Sequence, residues 1–383
     1  MGTFIFACGG TGGHIFPALS VGEELRRSDA AARIVYVCGK KDIESVIFNA
    51  ASLPPCLADG QTAGRDGRGP GEGTVCIDIA PYRGAVSFVS PVFLLKLLRG
   101  FFQSMALVRR ERPALVAGFG GYVSFPVILA AKCCGIPTML HEQNVLPGRA
   151  NRMLAPHVDA AALSFAETKK LWPVLKKTRV TGNPIRASIE RECRQEALRY
   201  FGFSADKKTL LVLGGSQGAE SVNTFFLDCL EKLSTHARSR LQVLHLCGRM
   251  RPEDSESRCG RAGIPAKVFS FFERMDLAYG AADLCVGRAG ATFLAEVATK
   301  NIPVLLVPYP FADGHQYANA DVYQHLIGAR VAEQRDLNPE KLAKMLEQMM
   351  QEVRQHPADS AAVVSGSNAR QALADFMEAT AKK

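Results

Sequence analysis

The sequence has no C-x-x-C pair: its eleven cysteines are an odd number, scattered, with Cys133 and Cys134 adjacent. Such spacing suggests neither a disulfide framework nor a zinc site, and a reducing cytoplasm fits it best. No secretory leader is read at Met1-Gly2-Thr3-Phe4-Ile5-Phe6, which lacks a basic start and has too short an apolar run. Phe6 also stands where a myristoylation signal needs Ser or Thr. No run of the roughly 20 apolar residues needed to cross a bilayer is uninterrupted. The most apolar stretch, Val86 to Phe102, is broken by Ser90, Pro91, Lys96, Arg99 and Gly100. The chain is expected to touch a membrane without crossing it. No G-x-x-x-x-G-K-[ST] run supports P-loop hydrolysis. A dehydrogenase would place an acidic residue at the end of the second strand, where this chain has Cys38-Gly39-Lys40-Lys41. No metal-ligand cluster is seen, and no cofactor is expected.

What is present belongs to a soluble globular protein: 383 residues, 47% hydrophobic and 22% charged. That length exceeds what one core usually organises, so two domains are expected. The formal charge of +9 favours an anionic lipid surface, a polyanion or a phosphorylated substrate, with plain solubility as the alternative.

The pattern along the chain is strand, loop, helix. An apolar run, Thr3 to Cys8, leads into Gly9-Gly10-Thr11-Gly12-Gly13-His14 and a helical pattern from Pro17 to Arg27. Strands are predicted at 34–38, 115–117 and 138–140, and helices at 42–51, 92–110 and 125–134, an alternation that calls for a parallel sheet. Six glycines between Asp59 and Gly73 with almost no apolar side chains read as a flexible surface insertion. A second series starts at Thr209–Leu213, with strands predicted at 242–246, 267–269, 284–286 and 304–307. Its helices are predicted at 222–233, 292–299, 316–326 and 339–355. The fold class is therefore α/β, with two Rossmann-like domains facing across a cleft, residues 1–183 and 184–365. A terminal helix at about 366–383 is available to pack back on the first domain.

Three glycine loops follow strands: Gly9–His14, Gly118-Phe119-Gly120-Gly121 and Gly214-Gly215-Ser216-Gln217-Gly218. Glycine there lets backbone N–H groups approach a diphosphate. A tight turn with no ligand explains any one of them equally well, but three together poorly. Further on, Gly287-Arg288-Ala289-Gly290 opens a helix that carries Glu296 about one turn inside. A carboxylate there suits a ribose diol while the helix N-terminus faces a diphosphate; a solvated helix residue is the alternative. The segment Pro308 to Ala320 offers polar side chains for sugar hydroxyls.

Seven segments in one order resemble the MurG-type N-acetylglucosaminyltransferases of peptidoglycan synthesis. They are Gly9–His14, Gly118–Ser124, His141-Glu142-Gln143-Asn144, Gly182-Asn183-Pro184-Ile185-Arg186, Gly214–Ala219, Arg288–Glu296 and Gln316–Ala320. The resemblance implies a GT-B glycosyltransferase that moves N-acetylglucosamine from UDP-N-acetylglucosamine to the C4 hydroxyl of lipid I, with inversion, giving lipid II. It implies that Ser216, Glu296 and the Phe272 backbone hold the nucleoside and diphosphate, with Arg186 nearby and residues Ala291, Thr292, Phe293, Leu294 and Ala295 forming the helix start. Asn144 and Gln316 would hold the sugar, with His315 in a position where the family commonly has Gln. Thr11, Gly12 and Gly13 would close over the site, and Gly9, Gly10, Gly120, Gly121 and Tyr122 would form the acceptor and diphosphate loops.

An inverting displacement needs a base on the acceptor hydroxyl. His14 is the candidate, with an ordinary pKa near neutrality; ordering the loop or binding the acceptor diphosphate is its alternative role. His141 is read as structural. The lipid acceptor implies peripheral attachment to the cytoplasmic face of the inner membrane and cell-wall synthesis proteins as partners, with no nucleic acid. Val86 to Phe102, rimmed by Arg83, Lys96, Arg99, Arg109, Arg110 and Arg112, is the candidate contact. Within it, residues 85–91 are read as the exposed part and the helix from Val92 to Val108 as core. A transferase for another lipid acceptor, such as diacylglycerol, and a non-catalytic nucleotide-sugar sensor are the competing readings.

Overall fold

The computed structural model describes residues 2–40, 42–50, 72–79, 90–175, 177–214, 219–311, 314–351 and 366–382. The chain divides into two compact units: unit 1 is Met1–Arg186 with Ser367–Lys383, and unit 2 is Ala187–Gly366.

Unit 1 is built on seven strands: β1 (Thr3–Ala7), β2 (Arg33–Cys38), β3 (Glu72–Cys76), β4 (Leu115–Gly118), β5 (Thr138–Glu142), β6 (Ala160–Leu163) and β7 (Thr178–Val180). All pairs are parallel, in the order β3-β2-β1-β4-β5-β6-β7. Both faces of the sheet are buried, as parallel sheets require. Phe4 and Phe6 of β1 pack on one side with Leu373 and Met377 of the terminal helix Gly366–Ala381. Ile5 and Ala7, one residue out of phase, pack on the other side with Leu107 and Val127. Each such large side chain contributes about 1.5–3 kcal/mol by leaving water. The terminal helix is further held by Arg370, buried, whose Nη1 donates to the Ile185 carbonyl at 2.9 Å and whose Nε lies 3.7 Å from Glu24.

Helices α1 (Gly12–Ser28), α2 (Asp42–Ala50), α3 (Pro91–Glu111) and α4 (Ser124–Cys133) cover unit 1. α3 starts where Ser90 Oγ accepts the Phe93 N–H, with Pro91 in the first turn, and ends at Arg112 in a left-handed conformation. The reading of this helix as core is overturned. Only Gly100, Ser104, Leu107 and Val108 are buried along it, whereas Val92, Leu95, Leu98 and Phe102 are 55–68% exposed. Among the described residues it is the one helix long and apolar enough, by length and composition, to cross a membrane. Of residues 85–91, expected to be the exposed part, 85–89 lie outside the described residues.

Two further differences have a local cause. Glu72 and Gly73 pair in register with Ile34 and Val35 as the start of β3, although they close the glycine-rich stretch read as an insertion; residues 59–71 lie outside the described residues. Cys76 is disulfide-bonded, which the cysteine spacing did not foretell, and nine cysteines among the described residues are free thiols.

Unit 2 repeats the plan with β8 (Lys208–Leu213), β9 (Leu241–Leu246), β10 (Ala266–Phe269), β11 (Leu284–Gly287), β12 (Val304–Leu306) and β13 (Arg330–Val331). The parallel order is β10-β9-β8-β11-β12-β13. The helices that bear on function are α5 (Glu220–Cys229), α6 (Met275–Ala281), α7 (Ala291–Lys300), α8 (His315–Ile327) and α9 (Pro339–Gln351). In both units the strand order reverses once, between β1 and β4 and between β8 and β11. Ligands of such sheets bind outside the carboxyl ends of the strands at that reversal.

Candidate active site

In unit 1 the reversal point is flanked by two of the glycine loops. The loop after β1 turns through Gly10, at φ +102°, and runs into α1, where Thr11 is the extended N-cap. The Thr11 carbonyl accepts the N–H of His14 at 3.1 Å. The loop after β4 carries Gly120 and Gly121, at φ +93° and +73°. The two loops touch: a β-carbon on Gly121 would stand 2.4 Å from the Gly9 carbonyl oxygen, and one on Gly120 would stand 3.2 Å from His14 Nε2. Glycine is therefore required at both positions, for backbone conformation and for space.

His14 is half-buried, and its Nδ1 lies 3.0 Å from the Gly9 carbonyl oxygen. A carbonyl can only accept, so Nδ1 carries the proton and the lone pair of the neutral ring sits on Nε2. Nε2 is the ring nitrogen on the Gly120 side.

The loop after β5 completes this half. His141 is fully buried; its Nε2 donates to the Gly182 carbonyl at 3.3 Å and its Nδ1 accepts from Gln143 Nε2 at 3.1 Å. Burial pushes its pKa down to about 4, so the ring is neutral and structural. Glu142, also buried, shapes the loop: Oε1 accepts the backbone N–H and the side-chain amide of Asn144, and Oε2 accepts from Gly148 N and Asn151 Nδ2 at 2.9 and 2.8 Å. Asn144 is thus aimed by Glu142. Arg186 is part of unit 1, its guanidinium 4.2 Å above the Phe16 ring of α1.

In unit 2, Gly214 ends the described part of the second loop; Gly215, Ser216, Gln217 and Gly218 lie outside the described residues. Across the reversal, Gly290 caps α7 in an extended conformation, and the first helical bond runs from Leu294 N–H to its carbonyl at 3.0 Å. The turn before it, 291–293, holds the N–H groups that a helix ladder does not use. Thr292 and Ala291 are buried beside it, and Leu294 and Ala295 face the core. Glu296 is 4% exposed, which removes the reading of a solvated helix residue, and its Oε2 accepts the Tyr279 hydroxyl of α6 at 2.8 Å. Phe272 follows β10 and stacks in an aromatic cluster with Phe269 and Phe201, ring centroids 4.9 and 5.4 Å away. His315 and Gln316 open α8, and Gln316 Oε1 accepts the Tyr309 N–H at 2.9 Å.

Arg288, at the end of β11, is a member of this half-site that the residue-by-residue reading left out. It is buried, and all four acceptors of its guanidinium are uncharged: the Val307 and Pro308 carbonyls, Ser221 Oγ and Gln334 Oε1, at 2.7–3.1 Å. Burial holds its pKa below the ordinary arginine value. Asn319 Nδ2 donates to the Ala289 carbonyl and ties α8 to the same loop. The signal for both was their position in motifs at strand ends.

A family model described as the glycosyltransferase family 28 N-terminal domain matches residues 4–163, and the corresponding C-terminal domain matches 209–378. The chain belongs to glycosyltransferase family 28. It is 36% identical, over 99% of both chains, to a protein of Halothermothrix orenii named UDP-N-acetylglucosamine--N-acetylmuramyl-(pentapeptide) pyrophosphoryl-undecaprenol N-acetylglucosamine transferase. A protein of Geobacter sulfurreducens with the same name is 35% identical over 99% of both chains. Among solved structures, Acinetobacter baumannii MurG matches with a TM-score of 0.68 at 26% identity, covering 98% of this chain and 99% of that one. The two family 28 domains thus fall on the two sheets just described, each with its motifs at its own reversal point.

Proposed function

We propose that the protein transfers N-acetylglucosamine from UDP-N-acetylglucosamine to the C4 hydroxyl of lipid I, undecaprenyl-diphospho-N-acetylmuramyl-pentapeptide. The β-1,4 bond forms with inversion, and the products are lipid II and UDP. The acceptor oxygen attacks the anomeric carbon as the bond to the UDP oxygen breaks, and the hydroxyl proton passes to a base. The observation that carries this reading is His14: its Nδ1–H is committed to the Gly9 carbonyl, so Nε2 is left with the lone pair a general base needs.

Unit 1 is assigned the acceptor and unit 2 the donor. In unit 1, Thr11, Gly12 and Gly13 surround the base, the loops at Gly9, Gly10, Gly120, Gly121 and Tyr122 form the acceptor floor, and Asn144 contacts the sugar. In unit 2, the start of α7 and Glu296 receive the diphosphate and the ribose, with Ser216, the Phe272 backbone, His315 and Gln316 completing the donor contacts. The Arg288 cation, whose acceptors are all uncharged, stabilises the charge that develops on departing UDP, and the Arg186 guanidinium adds to it. The exposed stripe of α3 rests on the cytoplasmic face of the membrane that holds the acceptor lipid.

The test is transfer of labelled sugar from UDP-N-acetylglucosamine to lipid I by purified protein without added metal. His14→Ala should lower kcat by about a hundredfold or more and leave the donor Kd unchanged. Donor binding with no transfer to any lipid-linked muramyl acceptor would refute the assignment. Near-normal turnover in His14→Ala would remove only the base role.

A further inference from the structure

Glu44, on α2, is a carboxylate in the interior of unit 1, 1% exposed, and no role above uses it. Its Oε1 accepts the Gly10 N–H at 2.5 Å and the Tyr122 hydroxyl at 3.3 Å. The acceptor of both bonds is a carboxylate oxygen. The first bond means that the Gly10 N–H points inward, toward α2, and is not presented to a diphosphate.

The Gly10 N–H and the Gly9 carbonyl belong to one peptide group. The chain's described peptides are all trans, so these two polar ends lie on opposite edges of one plane. One edge is bonded to Glu44 and the other to His14 Nδ1. The order is carboxylate, N–H, C=O, H–Nδ1, and then the Nε2 lone pair. A hydrogen bond to a carboxylate polarises an amide, its carbonyl becomes a better acceptor, and successive bonds in such a chain strengthen one another.

We propose that Glu44 is a positioning residue for the transfer reaction, acting through the Gly9–Gly10 peptide to fix the tautomer of His14 and raise the basicity of its Nε2. The proposal rests on the reading of His14 as the base. Tyr122, from the loop before α4, is the second anchor of the same oxygen, so the β1 and β4 loops are clamped together at Glu44. Among the described residues, the titratable groups beside this peptide include Cys8 just after β1, Cys38 at the end of β2 and Tyr122. Burial pushes all three upward, and the charge of Glu44 adds to it. Those upward shifts keep all three neutral at the pH of the reaction.

The sign follows. A negative charge behind the peptide stabilises the imidazolium that forms when Nε2 takes the acceptor proton. Glu44→Gln keeps an oxygen for the Gly10 N–H and removes the charge, so the His14 pKa should fall by about half a unit. The acid limb of the kcat/KM profile should move to lower pH by the same amount, and kcat should fall about two- to threefold. Glu44→Ala, which frees the loop as well, should cost kcat about a hundredfold. The donor Kd should not change in either variant.

The experiment is a titration of histidine-labelled full-length protein by nitrogen NMR, with His14 assigned from His14→Ala, beside pH profiles of wild type and Glu44→Gln. Expected are an Nδ1–H tautomer for His14 in the wild type, a lower His14 pKa in Glu44→Gln, and no further loss when Glu44→Gln is added to His14→Ala. An Nε2–H tautomer in the wild type overturns the proposal even if no variant folds. An unmoved acid limb in folded Glu44→Gln overturns it as well, since a merely structural strut would change stability or KM and leave that limb in place. Near-normal turnover in His14→Ala would defeat the base reading, while the tautomer and titration, which need no activity, judge the Glu44 linkage separately.

Discussion

At Gly121 the backbone leaves no room for a side chain. Its φ of +73° costs an L-residue about 1–2 kcal/mol, and a β-carbon would stand 2.4 Å from the Gly9 oxygen and 3.2 Å from His14 Nδ1. Both nearest groups are parts of the proposed base assembly, and the nearer is backbone, which cannot swing aside. Gly121→Ala must therefore push away the carbonyl that orients His14. Expected are a stability loss of about 1–3 kcal/mol and a fall in kcat of about a hundredfold, with donor affinity intact under the proposed assignment of the donor to unit 2. Urea denaturation and steady-state kinetics check the two parts, and wild-type kcat in the alanine variant would show that the loops are not tightly coupled. The same scale shows what local motifs conceal. His14 and the glycine loops are legible as short runs, but Glu44 meets Gly10 across 34 positions and Arg288 meets Ser221 across 67. Glu44 and Tyr279 look like ordinary polar residues until folding brings their partners to them, and the motifs that hold Glu142 and Arg288 do not show what those two side chains bond.

Among the elements, α3 presents to solvent the side most helices hide. Val92, Leu95, Leu98 and Phe102 recur every three or four residues and so share one stripe. Lys96 and Arg99, near the stripe, are within 4.0 and 3.4 Å of Asp78, and Arg109 and Arg110 lie in the last turn. An apolar stripe beside cations is what an anionic lipid surface binds. The double variant Leu95→Glu with Phe102→Glu should weaken binding to vesicles containing anionic lipid by about a hundredfold. Transfer to a short-chain soluble acceptor should remain, because neither side chain belongs to the site. Unchanged vesicle sedimentation would rule this face out as the contact. The sequence pattern of α3 does not distinguish a protein partner from a lipid one, since both select the same periodicity, and this is why the helix was read as core. Strands buried on both faces were legible as apolar runs. β6, Ala-Ala-Ala-Leu, lacks the branched and aromatic residues that mark a strand, and β7, Thr-Arg-Val, is an edge strand with exposed residues.

For the whole molecule, the two units share a pH liability that neither active-site half reveals. Among the described residues each encloses one fully buried histidine: His141 in unit 1, bonded to Gly182 and Gln143, and His245 in unit 2, bonded to Ser255 and Asn223. Burial lowers both to a pKa of about 4, against about 6.5 in an unfolded chain. Their contribution is thus fully present above pH 6.5 and is lost as pH falls toward 4, because the unfolded chain takes up protons that the native units refuse. Between pH 6.5 and 5 the loss should be about 2 kcal/mol for each histidine. Ordinary carboxylates stay ionised across that window, so the histidines can be read there with little interference. Chemical denaturation at pH 7 and pH 5 should show both units shifting to lower denaturant. His245→Gln, which keeps a hydrogen-bonding side chain without a titrating ring, should flatten the pH dependence of unit 2 and leave that of unit 1. Equal denaturation midpoints at pH 7 and 5 in the wild-type protein would mean that these rings protonate without unfolding their surroundings.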